Sequence, residues 1–124
     1  MMGKSLAKYV GRGYEDYNCF DLAREFYKDY FGLELKNYYE GATPDRESTT
    51  ALIKTNKGDF IKVDDPQFGD LVLIRLFGLE CHIGVYIEGN KFLHSARGIG
   101  SLMDRTERYS RHIAGYYRHR EVSK

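Results

Sequence analysis

The most reactive side chains in the sequence are a cysteine at the predicted start of a helix and two histidines on a predicted hairpin. Apolar residues at three- and four-residue spacing predict a helix from Cys19 to Phe31. Asn18, with Asp21 three residues on, is a typical N-cap, and Gly32 is a typical residue after the last turn. A thiol in the first helical turn faces free N–H groups that stabilise a thiolate. We interpret Cys19 as a candidate nucleophile, with a small buried core residue as the alternative.

A cysteine nucleophile needs a base, and the base needs a group that orients it. His82 and His94 lie on the two arms of the predicted hairpin. A two-residue loop would place their side chains on opposite faces of the sheet. A three-residue loop, Glu88 to Asn90, or an equivalent bulge pairs position 94 with Gly84 and places both histidines on one face, with room for a ring beside the glycine. We predict this second register. For either histidine alone, an ordinary hydrogen-bonded strand residue is the alternative.

The second cysteine, Cys81, raises the question of a metal site. Together with Cys19, His82 and His94 it offers zinc-ligand side chains, but the close paired spacing of a zinc ribbon is missing, and neighbouring strand residues point apart. We therefore expect no metal and no other cofactor, and we interpret Cys81 as a small core residue.

The composition limits the class of protein. The chain has 124 residues, of which 42% are hydrophobic and 30% charged, the balance of one globular domain over residues 1–124. A net charge of +1 argues against nucleic-acid binding. No apolar stretch is long enough to span a membrane, and the N-terminus lacks the features of a secretory signal. We expect the chain to stay in the cytoplasm of the producing cell unless another route exports it.

The remaining elements are mostly strands. Residues 41–59 are polar and loop-like, with a short helix expected around residues 46–54. The later apolar and alternating segments predict strands at residues 70–75, 82–87, 91–95 and 113–118. A helix followed by a β-meander gives an α+β class, in which the helix bearing Cys19 packs on an antiparallel sheet.

These segments, in this order, resemble the NlpC/p60 family of cysteine peptidases that act on bacterial cell walls. The resemblance covers nearly the whole chain. It is carried by the segments Tyr14 to Leu22 (YEDYNCFDL), Glu25 to Leu35 (EFYKDYFGLEL), Gly69 to Leu73 (GDLVL), His82 to Ile87 (HIGVYI) and Phe92 to Ser95 (FLHS).

The resemblance implies a minimal papain-like fold and a set of roles. Cys19 would be the nucleophile, His82 the general base and His94 the residue that orients it. Tyr14 and Phe20 would lie at the oxyanion or substrate-binding site. The implied substrate is peptidoglycan, cut at stem-peptide amide bonds, typically between D-γ-glutamate and diaminopimelate or lysine, through a thioester intermediate.

Three further segments resemble the phage-tail branch of the family: residues 10–14, 101–109 and 115–118. This implies incorporation into a virion tail, with tail-tip proteins as partners. Phe20 and Asp21 stand where Ser or Trp and Gly are usual in the family. Their presence leaves a structural tail protein or binding module with a degenerate site as one alternative. Because a fold does not determine a function, an interbacterial toxin amidase or acyltransferase on the same core is the other.

Overall fold

The fold combines one α-helix with a six-stranded antiparallel sheet. The computed structural model describes residues 6–35, 60–76, 79–96 and 98–122, without the side chains of residues 76 and 79–81. Within these ranges the elements are a 3₁₀-helix Leu6–Tyr9, α1 Cys19–Phe31, β1 Phe60–Val63, β2 Leu71–Leu76, β3 Leu79–Tyr86, β4 Lys91–Ala96, β5 Gly100–Arg105, a 3₁₀-helix Thr106–Tyr109 and β6 Ile113–His119. The predicted α+β class is confirmed. The helix expected at residues 46–54 and the side chain of Cys81 lie outside the described part of the chain.

Both ends of α1 have the predicted caps. The Asn18 side chain accepts hydrogen bonds from the backbone N–H groups of Phe20 and Asp21, each at 2.9 Å, and the Asp21 carboxylate accepts from the Asn18 N–H at 3.1 Å. Gly32 takes the left-handed conformation, with φ 64°, that ends the helix. The reciprocal cap explains an acid at position 21: it completes the helix start and so fixes the backbone on which Cys19 lies.

The strand order is β1-β6-β2-β3-β4-β5. Strands β2 to β5 form a meander, of which β2, β3 and β4 were predicted. Strand β6 departs from the predicted order, because it returns and inserts between β1 and β2. A partly buried ion pair holds β6 there: Arg118 donates from Nε and Nη2 to the two carboxylate oxygens of Asp70, at 2.9 and 2.8 Å. Two short strands, β1 and β5, were not predicted.

Side chains on the two faces of the sheet form separate apolar clusters. α1 packs against β3 and β4 on one face. The helix-side core there includes Cys19, Phe20, Leu22, Phe26, Tyr27, Leu73, Ile83, Val85 and Leu93. The far-side cluster consists of Val72, Ile74, Tyr86 and Phe92, packed against Tyr109, Ile113 and Tyr116. No helix among the described residues is long and apolar enough to cross a membrane.

The β3–β4 hairpin has the predicted three-residue loop. Val85 pairs with Leu93, and the Ile87 N–H donates to the Lys91 carbonyl at 2.9 Å, which leaves residues 88–90 as the loop. Continued along the strands, this register places position 94 opposite Gly84. The ring that uses the space at Gly84 is Phe92, however, since a Cβ at Gly84 would lie 2.5 Å from that ring. The expected room is therefore taken by the neighbour on which His94 stacks, with ring centroids 4.6 Å apart.

This close approach makes Gly84→Ala a test of the hairpin. The added methyl group would lie 2.8 Å from the Leu93 carbonyl oxygen as well as against Phe92, and backbone cannot move aside cheaply. We expect a loss of about 1–3 kcal/mol in the free energy of unfolding, measured by urea denaturation. Gly13→Ala is the matched control, because a Cβ at Gly13 meets nothing within 4 Å. Equal stability of the two variants would contradict the packing described.

Candidate active site

Cys19 is the first residue of α1 and is only 3% exposed. The chain just before it is fastened to the sheet at two places. The Ser95 hydroxyl of β4 donates to the Tyr17 carbonyl at 2.5 Å. One strand further, Ser101 exchanges backbone hydrogen bonds with Gly11 and Arg12, both at 2.8 Å. The approach to Cys19 is therefore tied to β4 at the residue that follows His94.

His82 and His94 lie on a common face, as predicted, and form a direct hydrogen bond. Nε2 of His82 lies 2.8 Å from Nδ1 of His94. The two rings are nearly perpendicular, with centroids 5.0 Å apart, and both side chains are buried. His94 also lies edge-on to Tyr109, at 5.5 Å between centroids. Packing against Phe92 and Tyr109 leaves His94 little freedom to rotate.

The hydrogen-bonded chain continues to a carboxylate that the sequence analysis did not select. Nε2 of His94 lies 3.0 Å from Oδ2 of Asp104. The other oxygen, Oδ1, accepts from the backbone N–H of Arg105 at 2.8 Å and faces Arg108 Nη1 at 3.5 Å. We call His82, His94 and Asp104 the relay.

The signal that would have revealed Asp104 is the pairing of β4 with β5. Phe92 lies opposite Asp104 and His94 opposite Leu102, so Asp104 shares a face with His94 as its diagonal neighbour. Because the sequence analysis did not predict β5, it singled out Asp104 only as part of the segment 101–109.

Burial and the neighbouring ring keep the histidines uncharged. Burial, with the positive charge His94 would carry as a lesser cause, lowers the pKa of His82 from 6.5 to about 3. Burial also lowers the pKa of His94, although its hydrogen bond to Asp104 opposes that shift. Burial acts to raise the pKa of Asp104, but the hydrogen bonds from His94 and the Arg105 N–H outweigh it and hold that pKa below its ordinary value. The resting relay is thus two neutral imidazoles ending on a carboxylate.

The thiol and the relay approach the same end of the hairpin from different sides. Cys19 belongs to the helix-side core, whereas His94 packs on the far-side cluster. His82 lies in the middle of β3 and His94 near the end of β4, both away from the 88–90 loop. The Ser95 hydrogen bond brings the Cys19 segment to this end. A contact of Cys19 with His82 remains a prediction, supported by these tethers and by the packing of α1 on β3 and β4.

The two remaining predicted site residues have different surroundings. Phe20 is 1% exposed, its ring lies in the helix-side core, and its N–H is taken by Asn18. Phe20 therefore offers no free amide to an oxyanion, and its part in the structure is packing. Tyr14 is half-buried in the turn before α1, where its carbonyl accepts from the Tyr17 N–H at 3.2 Å. Its place at the oxyanion site stays a prediction.

The described residues contain no group of three or more His, Cys, Asp and Glu side chains that could hold a metal ion. The chemistry that this arrangement offers is proton transfer. A neutral, buried imidazole can take a proton from a thiol at a helix start, and a carboxylate at the far end of the relay favours the positive charge that results.

Comparison with known proteins shows the family and the fold of the chain. The profile of the NlpC/P60 family matches residues 7–121. The murein DD-endopeptidase MepS/murein LD-carboxypeptidase of Escherichia coli strain K12 is 26% identical over 87 residues, which are 69% of this chain and 39% of that protein. The same protein of Escherichia coli O157:H7 matches equally. The chain thus spans about two fifths of the length of these curated relatives.

Two solved structures share the fold. The NlpC/p60 domain of the peptidoglycan hydrolase SagA superposes with a TM-score of 0.60 at 19% identity, covering 90% of this chain and 91% of that one. A Staphylococcus aureus Mu50 protein described as similar to lipoprotein, NLP/P60 family, has a TM-score of 0.52 at 22% identity, covering 82% of this chain and 31% of its own. Since the profile match runs over almost the whole chain and the observed architecture agrees with it, the protein belongs to the NlpC/P60 family.

Proposed function

We propose that the protein is a cysteine endopeptidase that hydrolyses amide bonds in the stem peptides of peptidoglycan. The observation that carries the proposal is the buried hydrogen bond between His82 and His94, on strands against which the helix that begins at Cys19 packs. Family membership and the murein endopeptidase named among the relatives point to the same substrate. Cys19 is the nucleophile, His82 the general base and His94 its positioning residue.

The reaction proceeds in two acyl-transfer steps. His82 takes the thiol proton of Cys19, and the thiolate attacks the amide carbonyl carbon. The tetrahedral intermediate collapses when His82 returns the proton to the leaving amine, which gives a thioester on Cys19 and a released peptide amine. Water, deprotonated by His82, then attacks the thioester; the C–S bond breaks, the acid product is released, and the proton on His82 returns to the sulfur to regenerate the thiol. The bond we propose is the one between D-γ-glutamate and diaminopimelate or lysine.

We also propose that the domain works as part of a phage tail, after synthesis in the cytoplasm of the producing cell. The support is the likeness of residues 10–14, 101–109 and 115–118 to the phage-tail branch. Partners would then be tail-tip proteins. Recovery of the protein in the tail fraction of purified virions tests this delivery route, and its absence from that fraction would count against it.

A second candidate function is a structural or binding domain that does no chemistry. The observation in its favour is the 3% exposure of Cys19, because a nucleophile must be reached by its substrate. In that case the thiol is a core residue and peptidoglycan is at most bound.

Cys19→Ala separates the two functions. We expect the wild-type protein to release fragments from purified peptidoglycan, and Cys19→Ala to release none, because the thioester cannot form. Mass spectrometry of the products should show a free γ-carboxyl on D-glutamate and a free amine on the next residue; a transferred acyl group or another bond would instead indicate an acyltransferase or a different amidase. Equal hydrolysis by both proteins would exclude Cys19 as nucleophile.

Alkylation by iodoacetamide is a control that does not depend on the type of peptidoglycan used as substrate. A catalytic thiol whose thiolate is stabilised by the N–H groups of the helix start should react at a pH well below the ordinary cysteine pKa of about 8.5. Slow alkylation that follows an ordinary titration, together with inactivity on several wall types, would favour the binding function.

The charge state of His82 predicts a pH dependence of stability. In Cys19→Ala, which lacks the thiol, we expect NMR titration to place the His82 pKa well below 6.5, since burial is the main cause of the shift. The unfolded chain then binds more protons than the folded one below pH 6.5. Stability is therefore complete above about pH 6.5 and is lost as the pH falls from there toward about 3.

The matched control is the double variant Cys19→Ala with His82→Gln, followed by thermal unfolding over the same pH range. Its melting temperature should fall less steeply with acidification, because the buried group that resists protonation is gone. An identical fall in both proteins, or an ordinary His82 titration, would contradict the assignment of a neutral, buried base.

A further inference from the structure

We propose that Asp104 is a positioning residue that sets the tautomers of both histidines and leaves Nδ1 of His82 as the atom that accepts the Cys19 proton. The catalytic consequence rests on the proposed function. The tautomers themselves are a property of the folded protein and can be measured without substrate.

The direction of the hydrogen bonds follows from the carboxylate end. An ionised carboxylate only accepts, so His94 must carry its proton on Nε2, which faces Asp104 at 3.0 Å. A neutral His94 then has a bare Nδ1, and this atom accepts from His82 at 2.8 Å. His82 therefore carries its proton on Nε2, and its own Nδ1 is left with a free lone pair. The Asp104 carboxylate thus fixes the proton positions on both His94 and His82.

The second oxygen of Asp104 determines how an amide at this position would be oriented. Oδ1 accepts from the Arg105 backbone N–H at 2.8 Å, and Arg108 stands on the same side. In Asp104→Asn the amide oxygen is required on that side, because the Arg105 N–H needs an acceptor. The amide NH₂ must then face His94 and donate to Nε2. His94 becomes protonated on Nδ1, donates to Nε2 of His82, and His82 ends with its proton on Nδ1. The substitution reverses the whole relay instead of merely weakening it.

The direct test is long-range ¹H–¹⁵N NMR of the imidazoles at neutral pH, in full-length protein that carries Cys19→Ala so that no thiolate is present. We expect His82 to be protonated on Nε2 and bare on Nδ1. Adding Asp104→Asn should exchange the two states in both histidines. Asp104→Glu, which keeps an acceptor, should restore the original tautomers. Asp64→Asn is the matched control: it removes one carboxylate charge at an exposed position and should change nothing.

The kinetic test uses the protein with Cys19 intact. Asp104→Asn should lower kcat for peptidoglycan fragments, and the rate of Cys19 alkylation, by about 10²- to 10⁴-fold with little change in KM, the range expected for a wrong tautomer or a lost orienting partner. Asp104→Glu should recover part of that loss. A residue that only supports the fold would lower activity in proportion to the folded fraction and would leave the tautomers unchanged.

The outcomes separate this proposal from the proposed function. The expected tautomers and their reversal, found in a protein that cuts no peptidoglycan, would uphold the role of Asp104 and reject the enzyme. If Asp104→Asn fails to fold, the tautomers measured in Cys19→Ala alone still test the proposal, because a proton on Nδ1 of His82 in that protein overturns it. Unchanged tautomers in a folded Asp104→Asn protein overturn it as well.

Discussion

The burial of a continuous polar chain is the constraint on which the rest of the structure depends. An imidazole or a carboxylate removed from water without a partner costs about 1–3 kcal/mol or more, so each group of the relay needs the next one. Among the described residues no buried side-chain nitrogen or oxygen lacks a hydrogen-bond partner. That condition holds only in one register of three strands: His82 on β3, His94 on β4 and Asp104 on β5. A slip by one residue in either pairing would turn a member of the relay to the other face.

The elements around the relay act to hold that register. The three-residue loop fixes β3 against β4, and Gly84 allows the Phe92 ring to support His94. Ser95 and Ser101, which point away from the relay, connect the same strands to the chain before Cys19. Toward the other edge of the sheet, the Asp70–Arg118 ion pair keeps β6 beside β2. Alternate residues of β4 therefore serve the two parts of the site: one face carries the relay, and the other secures the thiol segment.

Much of this was predictable from local sequence signals, and the rest was not for physical reasons. The bounds of α1 follow from its periodicity and caps, and the common face of the histidines follows from loop length, so both depend on nearby residues. Asp104 depends on the pairing of β4 with β5, and Asp70 meets Arg118 across 48 residues, so neither contact has a local signature. Phe20 shows a third case. The family resemblance implied a place at the substrate site, but the capped helix start directs its ring into the core and its amide to Asn18.

The relay also resolves a conflict between burial and basicity. Burial keeps His82 neutral, which suits a proton acceptor, but the same burial would penalise the imidazolium formed when it accepts. A carboxylate in direct contact with His82 would relieve that penalty at the expense of raising the resting pKa and charging the base before the reaction. Asp104 stands one imidazole away instead. Through two hydrogen bonds, His94 lets Asp104 orient the His82 ring. The greater distance between Asp104 and His82 weakens the direct effect of the carboxylate charge on His82 at rest. Hydrogen bonds from His94 and the Arg105 N–H, with the charge of Arg108, hold the pKa of Asp104 below its ordinary value, so its negative charge is in place when the proton arrives. The spacing of His82, His94 and Asp104 therefore favours a base that is neutral before the reaction and stabilised during it.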